Sequence, residues 1–347
     1  MLTPIMALFG WLPKRVGSAT AWLRHEVTGP AKTRRPGIAW TLAVTAMIVG
    51  TGNNVLLIKS GATGMPAFVT AFLTDIAASV GLWTVIRPKL REIDWSVKRA
   101  GLIFGASSAV SIWSGQEALH HAPYAMIAVL ALVIGPMVAA LVSAWKVWQI
   151  VAWVCVSIAG ALLVFGVAFK MLSVMGAVSI FLNGSMYWIM VRTFTGLGRK
   201  EEGSDKDAVL AASAVSKLVT VPVLFTAFIL ADGPSRIGQN SAWATIGALG
   251  VGTLATISAL CSSAAWKRGL NTSAHAQLQP AKPVLALIWG MVAGQKPHVA
   301  LNTVVGYFLV CLGAGAVGRL FVEAKQKEEK AKKLLESSDL VGADKAV

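Results

Sequence analysis

Apolar stretches of about twenty residues follow one another from Ile38 to Leu320, broken by short polar connections. That length of apolar helix crosses the hydrocarbon of a bilayer. The stretches lack the apolar/polar alternation of a barrel strand, and a lipid-embedded backbone must satisfy its own hydrogen bonds, so helices are expected. Ten spans are legible, at 38–58, 66–86, 100–120, 124–144, 150–169, 172–190, 208–231, 243–265, 273–293 and 300–320. The expected fold is an all-α membrane protein whose short connections pack the helices into one bundle. Residues 1–37 form a basic arm before it and residues 321–347 a charged tail after it.

Charge orients this pattern. With the N-terminus inside, the cytoplasmic segments, together with Arg319 at the cytoplasmic end of the last span, hold 25 of the 31 Lys and Arg residues. The outer loops hold Lys59, Lys170, Arg236 and Lys296, while Lys217 and Lys282 fall inside spans. This is the positive-inside asymmetry, and an even number of spans then places both termini in the cytoplasm. Trp40, Trp83, Trp145, Trp243 and Trp266 stand near span ends, where indole rings favour the headgroup layer.

Composition agrees. Mean hydropathy is +0.65, and 55% of residues are hydrophobic against 14% charged. A soluble domain carries about 25% charged residues. The net charge of +15 is explained by basic loops and tails facing anionic lipid, and no nucleic-acid motif accompanies it. Cys155, Cys261 and Cys311 lie inside spans without ligand spacing, so neither a disulfide framework nor a metal or cofactor site is expected.

The chain contains a weak internal repeat. AVLALVIGPMVAALVSA around Pro136 resembles AQLQPAKPVLALIWGMV around Pro283, pairing Gly135 with Lys282. In the span after each, Trp153–Gly160 and Gly306–Gly313 share a seven-residue spacing. Two repeats of five helices, 38–169 and 172–320, must lie in opposite orientations, a plan common in secondary transporters with a midplane site.

APYAMIAVLALVIGPMVAALVSA and GLNTSAHAQLQPAKPVLALIWGMVAGQ, each with its following helix, resemble the drug/metabolite transporter superfamily in its ten-helix EamA-type branch. Gly135-Pro136 is similar to the Gly-Pro of threonine/homoserine exporters. The resemblance implies two inverted five-helix repeats, export of a small polar metabolite such as an amino acid by alternating access, and a bacterial inner-membrane location. It departs at Lys282-Pro283, where members commonly have Glu-Pro, and at Leu73, where many carry Arg, with Asp75 nearby.

Ionisable and amide groups in spans mark cavities or helix ties. Lys282, between Pro280 and Pro283, is a candidate for holding a carboxylate-bearing or zwitterionic substrate, or for neutralising a buried acid such as Asp75. Asp75 and Lys217 sit near the middles of the second and seventh spans, as a gating pair or a fixed ion pair. Glu117 is a candidate coupling carboxylate or a rim residue beside His120 and His121. Asn53, Asn54, Asn183, Gln277 and Gln279 can bind polar substrate or tie helices, and Trp113 and Trp188 can wall a cavity or face lipid or core. The expected partners are a small-molecule substrate, the bilayer and a counter-transported proton or substrate, with no nucleic acid.

No Walker A loop, HExxH helix, diphosphate-binding Asp run or G-x-S-x-G elbow is present, so an ATP-driven pump or a membrane enzyme is not expected. A receptor or scaffold that binds without transport, or an exporter of another metabolite or drug, is the alternative.

Overall fold

The computed structural model describes residues 36–86, 91–143, 147–170, 172–200, 208–233, 241–268, 270, 278, 281–294, 301–317, 319–320 and 323. Among these the chain is all-helical, with no strand. The helices are α1 (Pro36–Ser60), α2 (Ala67–Ile86), α3 (Trp95–His121), α4 (Tyr124–Ser143) and α5 (Val147–Lys170). They continue with α6 (Val174–Lys200), α7 (Ala208–Ala231), α8 (Ala242–Lys267), α9 (Ala281–Val292) and α10 (Leu301–Val317). The span expected at 208–231 coincides with α7, whereas α6 runs ten residues beyond its expected end at 190.

Among the described residues five helices are long and apolar enough to cross a membrane: α1, α2, α5, α7 and α8. Shorter apolar runs occupy 126–135, 174–186, α9 and α10. Large hydrophobics stay on the outside of the bundle, among them Leu162, Phe181, Phe225, Leu230, Ile246 and Phe308. Such an apolar girdle over a helical bundle is that of a membrane protein. α3 is different. It is 27 residues long, and its inward face carries Gly101, Gly105, Ser107, Ser108, Ser111, Ser114 and Gln116, all buried. Its small polar face packs against α2, α4, α6 and α7, while Leu102 and Ile103 on its other face stay exposed.

Turn chemistry separates the helices. Gly61 takes a φ of 75° after α1, and Gly233 a φ of 74° after α7, conformations that glycine reaches without a Cβ penalty. The Gly233 N–H closes the end of α7 on the Phe228 carbonyl at 3.1 Å. Ser241 caps α8, its hydroxyl accepting the Ala244 N–H at 3.1 Å.

Between lipid-facing helices there is little hydrophobic gain, so close backbone approach and hydrogen bonds must hold them. α1 packs on α8, α8 on α2, α2 on α7, α7 on α3 and α3 on α6. At the α3–α7 contact a Cβ on Gly105 would lie 2.5 Å from the Ser216 carbonyl, and the Thr220 hydroxyl donates to the Gly105 carbonyl at 3.1 Å. At the α2–α8 contact a Cβ on Gly252 would lie 2.1 Å from the Thr74 carbonyl, and the Thr256 hydroxyl donates to the Ala78 carbonyl at 3.1 Å. Gly160 of α5 and Gly306 of α10 face one another; a Cβ on either would strike the other's carbonyl at 2.5–2.6 Å. Gly313 lies against the Trp153 carbonyl one step along, so the two seven-residue spacings of the sequence meet across one contact. The GLIFG segment packs its glycines against α7.

Candidate functional site

The close-packed helices leave a central cavity of about 550 Å³, walled by α1, α2, α3, α4, α6, α7, α8 and the start of α9. A volume of ~300–1,000 Å³ is the ordinary size for a small-molecule site. Most of its wall is apolar, supplied by Phe104, Ile112, Leu119, Ile127 and Met190. Amides and charges interrupt that wall at few places.

Asp75 of α2 and Lys217 of α7 both line the cavity and form an ion pair with each other. Asp75 has no exposed surface and Lys217 retains 9%. The Lys217 ammonium donates to Oδ1 of Asp75, whereas Oδ2 is buried without a hydrogen-bond partner. Two charges in an interior of low dielectric hold one another firmly, but each has given up its hydration to be there. The sequence offered them as a gating pair or a fixed ion pair on two different spans. The fold brings them together because α2 and α7 pack against each other.

The amides divide. Asn53, Asn54 and Asn183 all lie on the cavity wall. Asn183 ties α6 to α3, its Nδ2 donating to the Ser111 carbonyl at 2.8 Å and the Ser111 hydroxyl at 3.3 Å. Asn54 is within hydrogen-bonding reach of the Tyr124 side chain, whose hydroxyl donates to the Thr51 carbonyl. Asn53 presents an Oδ1 that is buried and without a partner. Lys282 reaches the same cavity from the second residue of α9.

Two sequence candidates stand off the wall. Residues 111, 112, 115, 116 and 119 of α3 line the cavity, and the helical repeat turns Trp113 and Glu117 away from that face. Trp113 stacks on Phe68 with ring centroids 5.2 Å apart and planes 7° from parallel. Glu117 is held by His121 at 3.1 Å, one turn on, and His121 in turn meets the Ser173 hydroxyl at 3.1 Å. That chain of polar groups pins the end of α3 to the start of α6. Gln277 and Gln279 lie outside the described residues, as does the side chain of Trp188. No group of three or more His, Cys, Asp or Glu that could hold a metal occurs among the described residues.

Twenty solved chains match this one in structure. One, described only as "Crystal structure of protein", superimposes with a TM-score of 0.54 at 20% identity, over 84% of this chain and 99% of its own. The two chains share a fold. No family model matches the sequence, and no curated protein matches it.

Gln116, Tyr124 and Ser258 are cavity residues that the sequence alone did not single out, and Trp266, expected at the headgroup layer, is buried on the cavity wall as well. Gln116 was legible as a polar residue in a span. Tyr124 sits on the first residue of α4, where a reading by spans sees a boundary residue, yet its hydroxyl reaches the Thr51 carbonyl of α1 on the cavity wall.

Proposed function

We propose that this protein is a secondary transporter of the EamA type within the drug/metabolite transporter superfamily. It comprises two inverted five-helix repeats, has both termini in the cytoplasm of a bacterial inner membrane, and exports a small polar metabolite such as an amino acid. The observation that carries this reading is the central cavity, enclosed by helices from both halves and bearing amides and charges on a mostly apolar wall.

Helix pairing supports the repeat. Exchanging α1–α5 with α6–α10 converts the α1–α8 contact into α6–α3, and α2–α8 into α7–α3, while α2–α7 and α4–α9 map onto themselves. The glycine contacts obey the same exchange. Gly105 and Gly252 are 147 residues apart, the same separation as Pro136 and Pro283. Each packs on a carbonyl, of Ser216 and Thr74 respectively, that directly precedes one partner of the ion pair. Ser111 and Ser258, again 147 apart, each tie their helix to the first helix of the other half, at Asn183 of α6 and at the Ala46 carbonyl of α1. Asp75 and Lys217 are then equivalent positions meeting on the pseudo-twofold axis. A site between two halves that can exchange shapes is what alternating access requires.

The test is counterflow into liposomes. Purified protein is reconstituted with an internal panel of unlabelled amino acids and other small polar metabolites, and labelled threonine is added outside. Accumulation that depends on the protein and on an internal metabolite is the expected result. Saturable binding across the whole panel without flux for any member would make the chain a receptor.

A further inference from the structure

Hydrogen bonding within the Asp75–Lys217 pair is one-sided. Lys217 donates to Oδ1 of Asp75, while Oδ2 of the same carboxylate is buried and makes no hydrogen bond. Both residues stand on firmly packed backbone. The Ser216 carbonyl, just before Lys217, packs on Gly105, and the Thr74 carbonyl, just before Asp75, packs on Gly252. Thr220 and Thr256 add hydroxyl bonds across the same two helix contacts. Rigid elements therefore present a carboxylate with one oxygen engaged and the other unused.

A buried acceptor left unpaired costs free energy, the more so on an ionised group, and a ligand that donates to it recovers that cost. Asp75 lines the central cavity, so a molecule seated there can supply the donor. Asn53, on the same wall, repeats the pattern with an Oδ1 that is buried and unpartnered. An amide can turn either end to a ligand, but a carboxylate oxygen only accepts, so Asp75 sets the direction of the bond. A hydroxyl offers one donor and itself accepts, whereas a primary amino or amide nitrogen offers two or more donors. The volume of about 550 Å³, with Phe104, Ile112, Leu119 and Met190 on its wall, accommodates an apolar body behind such a head. We infer that Asp75 is a cargo-binding residue, and that the cavity selects molecules with a primary amino or primary amide head on an apolar body. Oδ2 accepts an N–H of the cargo while Oδ1 stays with Lys217, so binding leaves the ion pair intact. This rests on the cavity being the transport site, and it narrows the cargo from polar metabolites in general to N–H donors. A site built around an unpaired acceptor rejects an analogue of equal shape that lacks the donor.

The experiment uses two pairs of probes on one phenylethyl skeleton. Hydrocinnamamide is paired with benzylacetone, which has a methyl group in place of the amide nitrogen. Phenethylamine is paired with phenethyltrimethylammonium, which keeps the charge and loses every N–H. Affinity is read from the concentration dependence of thermal stabilisation of the purified full-length protein in detergent, and uptake is followed in proteoliposomes. The amide and the amine are each expected to bind at least about tenfold more tightly than their partners. In the double variant Asp75→Leu with Lys217→Met, which removes both charges together, both preferences are expected to vanish. Discrimination within one pair alone supports the inference and names the head as amino or amide. If neither pair discriminates, or if the preference survives in a double variant that elutes as folded protein on gel filtration, the inference is wrong. Failure of both the amine and the amide to stabilise the protein overturns it equally. The transporter reading fails separately: a preference for N–H in binding, with flux of no probe, leaves the Asp75 site standing and removes transport. Flux that is equal for both members of each pair does the reverse.

Discussion

The most consequential pair of side chains is Asp75 and Lys217, because each is buried and each holds the other's charge. Removing one partner leaves an uncompensated charge in the bundle. Asp75→Asn or Lys217→Met alone is therefore expected to destabilise the protein by about 3–5 kcal/mol, measured by thermal or denaturant unfolding in detergent. Replacing both, as Asp75→Leu with Lys217→Met, is expected to recover most of that loss, since neither charge then remains to be desolvated. The exchange Asp75→Lys with Lys217→Asp should recover it too, because the two positions have matching surroundings: a glycine packed on the preceding carbonyl and a threonine hydroxyl bond nearby. A double exchange no more stable than the single variants would deny that symmetry. Asn183 gives a milder case. Asn183→Leu loses its bonds to Ser111, and an inter-helix bond of this kind is worth about 0.6 kcal/mol.

At the level of elements, the helices are joined by absent side chains as much as by present ones. A Cβ on Gly252 would fall 2.1 Å from a backbone carbonyl, and one on Gly160 would fall 2.5 Å from another. Neither carbonyl can rotate away, so α2 and α8, or α5 and α10, would have to separate. Gly252→Val and Gly160→Val are expected to cost at least about 1–3 kcal/mol each, whereas Gly37→Val, with open space around it, should stay within about 0.5 kcal/mol. Parallel unfolding measurements on the three variants distinguish these outcomes. This scale also shows what the sequence can and cannot reveal. Helix positions follow from apolar run length, and α7 is found to the residue because Ala208 and Ala231 are flanked by polar segments. α3 is harder to read, since its serines and glycines resemble a soluble segment until the helices around it are seen. Which face of α3 turns inward is a matter of packing. Hence Gln116 lines the cavity, while Trp113 and Glu117, within one turn of it, do not. The Asp75–Lys217 pairing was anticipated because a membrane interior forces rare charges to find partners. The Tyr124–Thr51 bond had no comparable sequence signal, as both residues are unremarkable in their own helices.

For the whole molecule, the proposed account is a cavity between two pseudo-equivalent halves that opens to either side in turn. The contacts that map onto themselves under exchange of halves, α2–α7 with its ion pair and α4–α9, are expected to persist in both states. Those that map onto a different pair, such as α1–α9 and α4–α6, are expected to trade places. Two-sided access tests this without knowledge of the cargo. Ala255→Cys on α8 or Ala128→Cys on α4 places a thiol on the cavity wall, in a background where Cys155, Cys261 and Cys311 are replaced by serine. Oriented membrane vesicles of both senses are then treated with a membrane-impermeant thiol reagent. The account predicts labelling of the cavity cysteine from either side of the membrane. Labelling from one side alone, under every condition that keeps the protein folded, would contradict alternating access and leave a binding pocket open to a single compartment.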